Sequence, residues 1–176
     1  MMWSKLKQRI EEGFANSAKG RVEVWSTRYR NSHDQEGEAW ITLDKTRIHS
    51  MGTLTYLVES FERNTQHPCE QYFLDYQDSQ KIQGYRDAQQ ETDRDLRDQG
   101  ILPLEGFNRA LLAYLNLSID DILDSDEMIV RALGMFDRRL GKRRLNTMDV
   151  SKDHELVQNF FRIRCALEGM TPARRA

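Results

Sequence analysis

Cysteine and proline are scarce in this chain, with two of the former and three of the latter among 176 residues. Cys69 and Cys165 stand 96 positions apart and form no Cys-x-x-Cys pair, which excludes a disulfide framework and predicts free thiols in a reducing cytoplasm. No apolar run approaches the length that crosses a bilayer, so no membrane association is expected. The opening residues, Met1-Met-Trp-Ser-Lys-Leu-Lys-Gln-Arg9, lack the apolar core of a secretory signal, which adds to the expectation of a cytoplasmic location. Internal repeats and low-complexity tracts are absent, as is a Gly-x-Ser-x-Gly nucleophile motif. A phosphate-binding P-loop is missing too, because Gly141-Lys142 is followed by Arg143 and no Gly-x-x-x-x precedes it.

What the chain does contain is ordinary for a globular protein: 31% charged and 39% hydrophobic residues, in a length that fits one domain and can bury a core. The net charge of −2 conceals an asymmetry. Residues 70–126 carry 5 Lys/Arg against 13 Asp/Glu, a net of −8, whereas residues 127–176 carry 11 against 6, a net of +5. An acidic middle followed by a basic end bridges internally or faces two different partners, and internal bridging is the simpler expectation.

Periodicity gives the elements. Trp3, Leu6, Ile10 and Phe14 form one helical stripe, with Gly20 expected to stop that helix just after Lys19. Residues 21–30 and 38–43 alternate as strands joined by a polar loop, and Thr46 to Met51 returns as a short third strand. The competing pattern is a helix from Asp44, since Ile48, Met51, Leu54, Val58 and Phe61 also recur at three and four. A helix is expected from about Thr53 to Arg63. Pro68 and the aromatics Tyr72, Phe73 and Tyr76 follow without clean periodicity. From Ser79 to Asp98 a polar helix with a thin stripe (Ile82, Tyr85, Ala88, Thr92, Leu96) stands away from the core and ends at Gly100. Pro103 then opens a helix faced by Leu104, Phe107, Leu111 and Tyr114, and Ser118 caps the next turn. A further helix from Ser125 or Asp126 is striped by Ile129, Leu133, Phe136 and Leu140. The last, from Ser151 or Asp153, buries Leu156, Phe160, Ile163 and Leu167 and stops at Gly169 and Pro172.

The most informative stretch is Asp137-Arg-Arg-Leu-Gly-Lys-Arg-Arg-Leu145, in which Arg138, Arg139, Lys142, Arg143 and Arg144 crowd the end of a helix. If the helix continues through Gly141, Arg138 stacks over Lys142 and Arg139 over Arg143, an arrangement that straddles phosphates. The blander expectation is that Asp137 and acids from residues 87–98 pair with these cations.

Other constellations carry weaker chemistry. His33, Asp34, Glu36 and Glu38 lie between two strands, where acids hold a hard cation in some hydrolases, yet polar hairpin loops are usually just solvated. His67-Pro-Cys69 with His49 makes half a zinc site, without the remaining ligands at a recognised spacing. His154 reads as part of a helix cap, and Cys165 as a small buried hydrophobe. Trp25, Tyr29 and Trp40, with Arg21, Arg28 and Arg30 nearby, are materials for stacking single-stranded nucleic acid, but are expected to dock helices in the core instead.

The blocks Gly20-Arg-Val-Glu-Val, Gly37-Glu-Ala-Trp-Ile, Phe107-Asn-Arg-Ala110, Tyr114-Leu-Asn-Leu-Ser118, Ile129-Val-Arg-Ala132 and Arg164-Cys-Ala-Leu-Glu-Gly169, with the basic block, resemble a family of uncharacterised bacterial proteins over most of the chain. The Asp-Arg-Arg-x-Gly-Lys-Arg-Arg-Leu block is the most specific piece. The resemblance implies one natural domain and no known activity, cofactor or catalytic residue.

The expected architecture is α+β in a single domain, 1–176: an N-terminal helix, a small antiparallel sheet of two to three strands within 20–52, a mainly helical region 53–170, and a short basic tail 171–176. The leading functional expectation is a non-enzymatic cytoplasmic binding or accessory protein that acts on an unknown protein partner and carries no cofactor. Its anion- or partner-binding residues would be Arg138, Arg139, Lys142, Arg143 and Arg144. The second is a nucleic-acid-associated protein using the same block with Arg174 and Arg175. The third is a metal-dependent hydrolase centred on Asp34, Glu36 and Glu38. The polar helix over 79–98 admits a homodimer without requiring one.

Overall fold

The computed structural model describes residues 2–31, 36–66 and 79–170. Over these residues the chain is α+β, as its patterning predicts: an N-terminal helix, one three-stranded antiparallel sheet, and a mostly helical remainder. Helix α1 (Trp3–Glu12) buries Leu6 and Ile10 and ends earlier than its stripe suggests. Phe14 leaves the helix to pair with Asp137 in an isolated antiparallel bridge. The Ala15 amide donates to the Phe136 carbonyl at 2.8 Å and the Arg138 amide to the Gly13 carbonyl at 2.9 Å. A distant segment thus competes for backbone groups that the helix would have used, and it wins. Gly20 takes the left-handed conformation, φ 75°, at the turn into the sheet rather than at a helix end.

The sheet runs β1 (Val22–Arg28), β2 (Gly37–Leu43), β3 (Thr46–Gly52), in chain order. Leu43 pairs with Thr46 across a two-residue turn, and Asp44 and Lys45 both adopt positive φ (48° and 67°), as a twist-matched tight hairpin demands. Val22, Val24, Ala39, Ile41 and Met51 face inward and are buried. The free edge of β1 is blunted by α1: the Val24 amide donates to the Glu11 carboxylate at 2.9 Å, and Lys7 Nζ donates to the Val24 carbonyl at 3.0 Å. Those two bonds occupy backbone groups that would otherwise template another strand.

Trp25 and Trp40 are cross-strand partners and lie on the outer face of the sheet, not in the core. Alternation explains the correction: Val22 and Val24 take the inner face, which sends Trp25 outward. The two indoles are nearly parallel, 11° apart with centroids 6.4 Å apart. Lys7 Nζ sits 3.6 Å from the Trp25 ring centroid and the Arg47 guanidinium 4.2 Å from that of Trp40. Cations therefore lie over ring faces that a nucleobase would need.

Thr53 starts helix α2 (Thr53–Gln66), and its hydroxyl accepts from the Gly37 amide at 3.2 Å and the Leu104 amide at 3.4 Å, joining strand and helix starts. Helix α3 (Ser79–Asp98) packs against α2 and ends at Gly100, φ 79°, where the Ile101 amide bonds the Leu96 carbonyl at 2.9 Å. This is the glycine stop the sequence predicts. Helices α4 (Leu104–Asn116), α5 (Ile119–Leu123), α6 (Met128–Gly134), α7 (Lys142–Thr147) and α8 (Glu155–Leu167) complete the fold. Ser118 caps α5 by accepting from the Asp121 amide at 3.2 Å, and His154 Nδ1 caps α8 from the Leu156 amide at 3.0 Å. The core gathers Phe107, Leu111 and Tyr114 of α4, Ile129 and Leu133 of α6, and Phe160 and Cys165 of α8, around the inner sheet face and α1. Cys165 is buried, as expected, and burial pushes its thiol up.

Candidate interaction site

The basic block is not one helix end. Helix α6 stops at Gly134, where an added Cβ would lie 2.5 Å from Ile122 Cγ2, and Lys142 begins a new short helix. Between them the chain folds back so that Met135, Phe136 and Leu140 are fully buried, with Phe136 packed on Phe14 and Phe160 at centroid distances of 5.9 and 5.0 Å. The premise of stacked cations at four-residue spacing therefore fails: the aromatic anchor at 136 pulls the chain out of helical register.

Leaving a helix strands carbonyls, and one side chain collects them. Arg164 of α8 is 2% exposed; its Nη1 donates to the Met135 carbonyl at 2.9 Å and the Asp137 carbonyl at 3.3 Å, and its Nη2 donates to the Leu140 carbonyl at 3.2 Å. Its Nε donates to Glu168 at 3.0 Å. Asp137, 1% exposed, accepts from Tyr114 Oη at 2.7 Å, from the Arg139 amide at 2.7 Å and from Arg139 Nη2 at 2.8 Å. Burial pushes the Asp137 carboxyl up, but the Arg139 and Tyr114 hydrogen bonds outweigh it and hold it below the ordinary range. Tyr114 moves the other way, raised by burial and by the adjacent carboxylate.

Arg139 is bound to Asp137 and, through Nη1, to the Leu117 carbonyl at 2.9 Å. Lys142 pairs with Glu168 at 2.8 Å, and Arg144 with Asp120 at 2.5 Å. Glu168 also accepts from Ser17 and Arg164; burial raises it, yet these donors bring its pKa down to about 2. Arg138 and Arg143 are exposed and make no ion pair among the described residues. Internal pairing thus operates for three of the five cations, through Asp137 as expected, but through Glu168 and Asp120 rather than acids of 87–98. Arg138 shares with Arg9 and Glu12 a cleft of about 360 Å³, floored by Tyr114 and Asp137.

Among the described residues no three His, Cys, Asp or Glu side chains are grouped to hold a metal ion. Glu36 and Glu38 are described, Glu38 lying exposed on β2. His33, Asp34, His67, Pro68 and Cys69 lie outside the described residues, as do Tyr72, Phe73, Tyr76, Arg174 and Arg175. His49 is largely buried on β3, and burial, then the nearby His154, lower its pKa to about 4.

A different surface stands out on α2. Leu54, Leu57, Val58 and Phe61 are 58%, 51%, 56% and 60% exposed and follow one helical stripe. Their spacing is that of a core face, and periodicity alone reads it so; only the packing shows that no described element covers it. Tyr56 on the opposite side bonds Asp93 of α3, and Arg63 donates to Gln99 at 2.5 Å, so α2 spends its polar side on its own chain. Among the described residues no helix is long and apolar enough to cross a membrane.

A sequence model of the SF0329 protein family matches residues 2–165. The chain belongs to the SF0329 protein family. No curated protein and no solved structure matches it significantly. The stretch shared with the SF0329 family includes the α2 stripe, the whole basic block and Arg164, and stops before Glu168.

Proposed function

We propose that this protein is a non-enzymatic binding or accessory protein that acts through protein–protein contacts, with α2 as its docking element and an apolar-faced segment of another protein as the occupant. One observation carries this reading: four large apolar side chains at positions 54, 57, 58 and 61 lie more than half exposed on a single helix face. Contiguous apolar surface of this kind costs solubility and is characteristic of recognition sites, whereas scattered exposed hydrophobes are not. Helix-on-helix recognition reads anchors at this same spacing. The basic block supports the reading from the other side, because three of its five cations hold the fold together.

The test is to purify the tagged full chain and its Phe61→Asp variant from its host. A protein enriched by the first and lost from the second is then produced separately and titrated against both. The reading requires that purified pair to bind and the variant to bind at least about tenfold more weakly. Equal affinity for the two forms would remove α2 from the interface.

A further inference from the structure

The α2 stripe has a charged border, and that border points to the chemistry of what docks there. At about 100° per residue, Leu54, Leu57, Val58 and Phe61 fall within one arc, and Glu62 follows Val58 by about 40° on the side of the arc that leads toward Glu59. On that side α2 and α3 enclose a cleft of about 590 Å³ lined by Glu59, Glu62, Glu91 and Asp95, with Arg63 as the cation among them. Arg63 is engaged by Gln99 and lies 3.9 Å from Glu59. Glu91 and Asp95 stand one helical turn apart, exposed, with no ion pair among the described residues. The cations Arg86, Arg94 and Arg97 of α3 do not line the cleft. An apolar face with a carboxylate-rich flank is complementary to an apolar face with a cationic flank.

We infer that the partner segment is an amphipathic helix whose apolar side seats on Leu54, Leu57, Val58 and Phe61 while lysines or arginines along its flank enter the Glu59–Asp95 cleft. This inference rests on the reading of α2 as a docking element and adds the partner's charge to it. The apolar stripe supplies contact area without preference; the carboxylates supply register and discrimination, since a like-charged flank would be repelled.

The experiment uses the full chain and labelled helical peptides of about 18 residues, long enough for five turns. The peptides share one leucine stripe and differ only in carrying Lys, Gln or Glu beside it. Fluorescence anisotropy should rank them Lys, Gln, Glu, with the Lys peptide ahead of the Gln peptide by about tenfold at low salt. That advantage should shrink as salt rises. Glu91→Gln with Asp95→Gln should erase the Lys advantage and leave the Gln peptide's affinity unchanged, and Phe61→Asp should weaken all three. Equal binding of the Lys and Glu peptides, still dependent on Phe61, would overturn the charge inference and leave the docking element standing. Binding of none of them would overturn both. Sedimentation showing a dimer that Phe61→Asp dissociates would make a second copy the occupant, and would overturn the inference as well.

Discussion

The turn over residues 135–141 and the helix α2 treat their difficult groups in opposite ways. The turn buries an arginine and an aspartate and answers nearly every polar atom: Arg164 reaches three carbonyls and Glu168, while Asp137 is held by Tyr114 and Arg139. Helix α2 leaves four large apolar side chains in water and answers none of them within the described chain. Buried polar groups are tolerated only when satisfied, so the turn is a device of structure. Exposed apolar groups in a row are retained at a cost, which fits a device of recognition. Charge density in a sequence therefore pointed to the region that builds the fold, and apolar periodicity to the one left open.

The sharpest way to break the contrast is Arg164→Leu. Removing it strands the Met135 and Leu140 carbonyls in the interior and takes one donor each from the Asp137 carbonyl and Glu168, and the expected loss is about 3–5 kcal/mol in urea denaturation. Acid should come next. His49 is kept neutral in the fold, with its pKa lowered to about 4 from 6.5, so the unfolded chain takes up that proton first. Stability should fall as the pH drops below 6.5 and level off near 4, losing about 3 kcal/mol at 1.36 kcal/mol per pH unit. Glu168, at about 2, stays ionised through that window, so His49→Gln should flatten the slope measured by thermal melts at stepped pH.

The third experiment works within the basic block. Arg139→Ala uncovers the buried Asp137 and should cost about 2 kcal/mol, whereas Arg143→Ala should shift stability by less than about 0.5 kcal/mol. Equal effects would mean that the block is a uniform surface. The smallest stability effect belongs to Phe61→Asp: its side chain is already 60% exposed, so chemical denaturation should move by no more than about 0.5 kcal/mol while partner binding collapses.

Most of the architecture was legible. The three strands, the polar helix over 79–98, the Ser118 cap and the Gly100 and Gly169 stops follow from alternation, composition and turn chemistry. The helix ends that failed did so for one physical reason, competition from distant residues, whereas the tryptophans expected in the core are sent outward by strand alternation itself. Periodicity carried α1 toward Lys19 and α6 toward Leu140, but the Phe14–Asp137 bridge and the burial of Phe136 interrupt both. Local spacing contains no trace of a partner more than a hundred residues away. The site was less legible than the fold. Asp137 was expected to pair with the block's cations, and it does; Arg164 and Glu168 stood only within a block of family resemblance, with no role read for either. The α2 stripe was visible as a pattern, and its exposure was not, because a buried face and an unpartnered one have the same spacing.

The bond between Ser17 and Glu168 closes a span of 151 residues, and the bridge at Phe14 one nearly as long. Closing such a span costs about 2 kcal/mol more chain entropy than a tenfold shorter one. During synthesis the end of α1 has no partner until residues 135–138 have left the ribosome, and Glu168 arrives later still. Helix α1 therefore has its neighbour β1 to seat on at once, while the turn that ends it stays open: Phe14 waits for Phe136, and Ser17 waits for Glu168.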